Sequence, residues 1–175
     1  MLSHPLRVSL AALAAAVVLP TAAASATTFC VGVPGCAGTP EFTLQDALTA
    51  ASGATASSNR IELGSGTWIG ANTAGPQPQG LDIIGAGTGL TFLRSTVAGQ
   101  AALRLTGPAE SVTGLTVRLT AQSGADPTGL LVEKGARADG IHATADAGIS
   151  GVPVRIDSGG QLSHAVVDGD TGKGV

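Results

Sequence analysis

Carboxylates and imidazoles gather toward the end of the chain: Asp139, His142, Asp146, Asp157, Asp168 and Asp170. These are the side chains that give and take protons near neutral pH. Two carboxylates at a fixed separation can also cleave a glycosidic bond, one of them protonating the leaving oxygen. Asp139, His142, Asp157 and Asp168 are therefore the catalytic candidates. Asp168-x-Asp170 begins like a calcium loop, which makes Asp168 and Asp170 the calcium candidates, but a third acidic or amide ligand and a distal Glu do not follow. Each acid also has a plainer reading as a solvated corner residue. Asp139 and Asp168 both precede a glycine, which is ordinary turn chemistry. His142 and His164 stand alone, as surface and corner histidines do.

Two glycine-rich stretches suggest nucleotide binding and fail on spacing. In "LDIIGAGTGLTFL", residues 81–93, the last glycine of a dinucleotide fingerprint is replaced by Leu90, and no helical stripe follows. The glycines fit a corner between two strands, where they supply positive φ. In "GDTGKGV" the first glycine of a phosphate loop is replaced by Val167, and no Ser or Thr follows Lys173.

The elements that would position these groups come next. One helix is expected over "FTLQDALTAASG": Leu44, Ala47, Leu48 and Ala51 fall on one face, Thr43 caps the start with Asp46 three residues on, and Gly53 ends it. Beyond it lie short apolar alternations. Runs start at Ile61, Leu81, Leu103, Leu130 and Val154, spaced 20, 22, 27 and 24 residues apart. A second set starts at Leu90, Val112, Ala138 and Leu162, spaced 22, 26 and 24. Each repeat is read as two short strands joined by glycine-rich corners, which is the period of a solenoid. Leucine-rich repeats share the period, but their Leu-x-x-Leu-x-Leu with Asn does not recur. A parallel β-helix fits, with aliphatic ladders inside and columns of polar residues on the walls.

Alignment of the runs predicts the columns. Thr113, Asp139 and Ser163 share one, Thr116, His142 and Val166 the next, and Arg118, Thr144 and Asp168 a third. On the other strand Asp82, Arg104, Leu131 and Arg155 are expected together, beside Thr106, Glu133 and Asp157.

With "FTLQDALTAA", "IELGSGTW" and "LDIIGAGTGLTFL" in that order, the chain resembles secreted right-handed parallel β-helix proteins of the pectate-lyase-like fold. The first stretch resembles their N-terminal capping helix, and the others resemble their first and second coils. The resemblance covers roughly residues 29–175 and implies an all-β, right-handed parallel β-helix solenoid. That solenoid would have a short N-terminal capping helix and an uncapped C-terminus. It implies less about chemistry, because this fold hosts lyases, hydrolases and adhesins alike. The lyases of the group often carry a Trp-Ile-Asp-His-type segment and an Arg-x-Pro-x-x-Arg segment. Its hydrolases carry Asn-Thr-Asp, paired aspartates, Gly-His-Gly and Arg-x-Lys. None of these is present; "GVPVR" has Pro153 and Arg155 without the earlier arginine.

Composition bounds the rest. The chain of 175 residues has 26 glycines, three phenylalanines, one tryptophan and no tyrosine, so Ala, Val, Leu, Ile and Thr must fill the core. Residues 1–26 read as a secretory signal: Arg7, an apolar run from Val8 to Leu19, Pro20, and a small-x-small site at Ala24-Ser25-Ala26. The run is short for a membrane anchor. Residues 27–41 then form a lead-in segment, and residues 42–175 the helix and the first four to five coils. In an exported chain Cys30 and Cys36, the only cysteines, most simply pair in a disulfide. The formal net charge of −3 carries no basic cluster, which argues against nucleic acid. No membrane span remains once the signal is removed.

"TGKGV" shows no cap and reads like the start of a further coil, which makes the chain the N-terminal piece of a longer protein. Trp68 is the one large aromatic ring that could stack on a sugar, and packing is the preferred role for it. The expectation is therefore a secreted or cell-surface scaffold without catalysis or cofactor, touching extracellular polysaccharide or cell-surface components. The alternative is a polysaccharide lyase or glycoside hydrolase whose catalytic coils are missing or unrecognised.

Overall fold

A computed structural model describes residues 26–77, 79–120, 127–146, 148–149 and 151–168. The leader, apart from Ala26, lies outside the described residues, as does Asp170. The chain begins with β1 (Thr27–Val31), β2 (Thr39–Glu41) and α1 (Leu44–Gly53). A first coil follows as β3 (Asn59–Leu63), β4 (Gly66–Ile69) and β5 (Asn72–Thr73). The second is β6 (Leu81–Gly85), β7 (Thr91–Arg94) and β8 (Leu103–Leu105). The third is β9 (Glu110–Thr113), β10 (Thr116–Leu119) and β11 (Thr128–Val132). The fourth is β12 (Arg137–Asp139), β13 (His142–Ala145) and β14 (Val152–Ile156), after which β15 (Gln161–Ser163) and β16 (Val166–Asp168) begin another turn.

All pairings among these strands are parallel, and from β3 onward each joins a strand to its counterpart one coil away. Three walls result. The largest runs β15-β12-β9-β6-β3-β1-β2, the second β16-β13-β10-β7-β4, and the third β14-β11-β8-β5. The chain is thus a parallel β-solenoid of about four turns.

The apolar alternation predicts two strands per repeat; there are three. Its first set mixes two walls. Ile61 and Ile83 stack in the large wall with Val112 and Ala138. Leu103, Leu130 and Val154 stack in the third. Asp82 accordingly aligns with Arg60 and Ser111, not with Arg104. Thr91–Arg94 belongs beside β10, not β9. The reason is that β5 is only Asn72–Thr73 and β4 opens on glycine, so neither shows an apolar alternation. The remaining columns hold: Thr113–Asp139–Ser163, Thr116–His142–Val166, Arg118–Thr144–Asp168 and Arg104–Leu131–Arg155 are each in register.

Burial follows the alternation. Ile61, Ile83, Leu93, Leu103, Leu105, Val117, Leu130 and Val132 are all inaccessible to solvent. Most wall strands therefore give alternate side chains to one core, though β4 and β16 have no buried residue. At the other face of the first coil, α1 lays Leu44, Ala47, Leu48 and Ala51 against the core. Thr43 caps it, its Oγ1 accepting the Asp46 N–H at 3.1 Å. Two side-chain bonds hold the helix down. Gln45 Oε1 accepts the Thr73 N–H at 3.0 Å, and Asn59 Nδ2 donates to the Ala51 carbonyl at 2.9 Å. Cys30 and Cys36 are disulfide-bonded, tying β1 to the loop that leads to β2.

Corners recur with the coils. Gly114 and Gly140 stack with His164, and all three have positive φ, at 67°, 59° and 46°. In the next corner Lys134-Gly135 and Ser158-Gly159 repeat the same pair of positive φ values. The turn is thus set by position in the coil, and non-glycine residues are forced into it.

Candidate functional site

The polar candidates meet at the corner between the large wall and the second wall. Asp139 ends β12 and His142 starts β13, with Gly140 and Ile141 turning between them. One coil on, Ser163 ends β15, His164 takes the left-handed corner position, and Asp168 ends β16. Parallel register brings these together as two acid–imidazole pairs. Asp139 Oδ1 accepts the Ser163 hydroxyl at 2.6 Å and faces His164 Nδ1 at 2.7 Å. Across the corner, His142 Nε2 and Asp168 Oδ2 stand 2.7 Å apart.

The Ser163 hydroxyl, and next the His164 ring, hold the Asp139 carboxyl below its ordinary value of 3.8. That is the chemistry of an ionised acceptor, not of a general acid, whose value must rise toward neutrality. Ser163 donates its hydroxyl to the Asp139 carboxylate, whose lowered value makes it a weak base, and among the described residues no imidazole is hydrogen-bonded to that oxygen. His164 occupies strained backbone, a feature often found at functional positions, but its side chain is largely open to water.

Asp157 is not brought to this corner. It follows β14 on the third wall and pairs with Arg155 at 2.9 Å. Asp146 follows β13 and pairs with Arg118 at 2.7 Å. The four described acids are therefore each engaged with a cation or an imidazole. Among the described residues no group of three or more His, Cys, Asp or Glu could hold a metal ion. Asp170, the second calcium candidate, falls outside them.

Trp68 packs rather than projects. Its ring lies so close over Gly32 that a Cβ there would clash with it, and its Nε1–H donates to the Gly64 carbonyl at 3.2 Å. Beside the disulfide lies an open hollow of about 470 Å³, with Val33, Pro34, Pro40 and Glu41 on its rim.

Two charged residues escaped the sequence reading. Glu110 begins β9 and is 1 % exposed. Its Oε2 accepts the Thr106 N–H at 2.6 Å, while Oε1 has no hydrogen-bond partner. Burial pushes its carboxyl above 4.5, against the pull of nearby backbone N–H groups at Thr106, Gly107 and Gln77. Alternation from Val112, two residues on, was the available signal that it points inward. Arg94, at the end of β7, has a buried Nε without a partner.

The fold makes this chain a parallel β-helix protein. No protein-family model, curated protein or solved structure matches it.

Proposed function

We propose that the chain is an exported, non-catalytic β-helix scaffold that offers its walls to extracellular polysaccharide or cell-surface components. What carries the reading is where the wall charges go. Arg104 reaches Glu133 at 2.6 Å, Arg118 reaches Asp146 at 2.7 Å, and Asp139 and His142 reach the coil after their own. Glu133, Asp139, Asp146 and Asp168 tie coil to coil, while Glu62 and Asp157 each pair with the arginine two residues before them. A protein whose polar groups are spent on holding its own turns has the makings of a scaffold. The right hand of the solenoid is part of the proposal and rests on the general chirality of parallel crossovers. The secretory leader at residues 1–26 rests on its sequence pattern, and a disulfide is compatible with an oxidising compartment.

The test is incubation with polygalacturonate, followed by ultraviolet absorbance for unsaturated product, together with a reducing-end assay on neutral glycans. No product is expected. Product that disappears in His142→Ala would establish the lyase or hydrolase alternative and end the scaffold reading. Sequencing the N-terminus of the exported chain should find it starting near Thr27.

A further inference from the structure

The open hollow beside the disulfide has mostly apolar walls. Val33, Pro34 and Pro40 form its sides, Cys30 and Cys36 bring the disulfide to it, and the rest is glycine apart from Glu41. Among the described residues Glu41 is the one charged side chain on this lining. It has no ion pair and no side-chain hydrogen bond among them. Glu62 Oε2 comes within 3.6 Å of the Cys36 sulfur, but Arg60 already meets that charge, its Nε 2.8 Å from Oε1. The hollow is therefore an apolar recess, open to water, with one unmet negative charge on its rim.

The recess is held in shape. The Cys36 N–H donates to the Val33 carbonyl at 3.4 Å and closes a turn. A Cβ on Gly38 would strike the Thr28 carbonyl and the Cys30 sulfur, so the loop lies hard against β1. Phe42 follows Glu41 and is 94 % exposed. It precedes the Thr43 cap, a position from which an apolar side chain commonly packs on the fourth helical residue, here Ala47. Ala47 is instead sealed in the core, and the Phe42 ring is left in water.

We propose that this recess is a docking site for a cationic side chain, lysine or arginine, of a polypeptide partner. Such a side chain joins an apolar stem to a charged head. Val33, Pro34 and Pro40 match the stem, and the Glu41 carboxylate matches the head in a charge-assisted hydrogen bond. An anion would meet no cation on this lining, and a sugar would meet one polar side chain and no aromatic ring. Strand addition is disfavoured, because Pro40 at the middle of β2 has no N–H to offer. Phe42 favours a polypeptide over a free amine: a small cation fills the recess and leaves the ring bare. The inference does not depend on whether the walls contact polysaccharide.

The test titrates acetyl-Leu-Lys-Leu-amide, its arginine and glutamine counterparts, and n-butylamine at constant ionic strength, following the Val33 methyl and Glu41 amide resonances by NMR. The two cationic peptides are expected to shift both signals saturably. The glutamine peptide should bind about tenfold more weakly, and Glu41→Gln should weaken the cationic peptides by about the same factor. The peptide comparison covers the case in which Glu41→Gln does not fold. Phe42→Ala should weaken the peptides and leave n-butylamine unchanged. Reduction of the disulfide should weaken all of them, and Asp157→Asn, after β14 on the third wall, should have no effect. Absence of a saturable shift with either cationic peptide, equal binding of the glutamine peptide, or n-butylamine binding as tightly as the peptides would overturn the proposal. Self-association that disappears in Glu41→Gln would assign the recess to a second copy of this chain and overturn it likewise.

Discussion

The first and last described coils use the same ladder differently. At the first, α1 closes the core, the disulfide ties down the loop between β1 and β2, and Val31, Ile61 and Leu63 are essentially sealed from water. At the last, Val152, Ile156, Val166 and Val167 are between 36 % and 56 % exposed. What joins β15 and β16 to the coil before them, besides backbone pairing and the partly buried Leu162, is a set of exposed side-chain bonds from Asp139 and His142. Backbone pairing is also shorter at the last coil, with three residue pairs in each of β12–β15 and β13–β16 against five in β1–β3 and in β3–β6, so both the ladder and the cover of the apolar rungs differ. Stability in such a stack is a sum of nearest-neighbour terms, and it should decline along the chain.

The strongest way to break that contrast is in the middle of the ladder. Leu103→Ala empties a fully buried rung and should cost about 3 kcal/mol in urea unfolding. Leu162→Ala, on a half-covered rung of the last coil, should cost about 1 kcal/mol or less. Equal losses would show that the last coil is as well supported as the middle of the ladder. Next in size is the disulfide. Cys36→Ser opens a short loop and should lower stability by about 2 kcal/mol, with the loss of exchange protection confined to β1, β2 and α1.

Two smaller effects sharpen the comparison through pH, with opposite signs. Glu110 has a raised folded-state value, so its contribution is complete below 4.5 and is lost as pH rises through that raised value. Glu110→Gln should flatten the fall in melting temperature on the alkaline side of 4.5. Asp139 has a lowered value, so its contribution is present above 3.8 and is lost as pH falls through the lowered value. Amide protection across β15, taken relative to the intrinsic exchange rate at each pH, should therefore fall in acid, and Asp139→Asn should abolish that acid-specific loosening. An unchanged acid response in Asp139→Asn would mean that the exposed bonds do not hold the last coil.

Much of this architecture was legible because apolar alternation survives in the sequence. The helix was readable from Leu44, Ala47, Leu48 and Ala51 with Thr43 before them, and the rung Leu103–Leu130–Val154 from its spacing. The separation of the third wall from the large one was not, because the two residues of β5 carry no pattern and Asn72 is buried by bonding the Ala102 carbonyl instead. At the corner, the columns through Asp139 and His142 followed from aligning Val112, Ala138 and Leu162. The partner His164 did not. Its left-handed backbone is announced by glycine in the two coils before it and by nothing in its own residue type.

The passage from the second wall to the third has a practical meaning for anyone altering this chain. After β4 it takes only Gly70 and Ala71, whereas after β7 it takes residues 95 to 102, yet β5 and β8 still lie side by side. Length at that bend is decoupled from the lattice of rungs. A foreign peptide spliced between Ser95 and Ala102 would hang outside the stack like a tag on a spring, leaving the winding undisturbed.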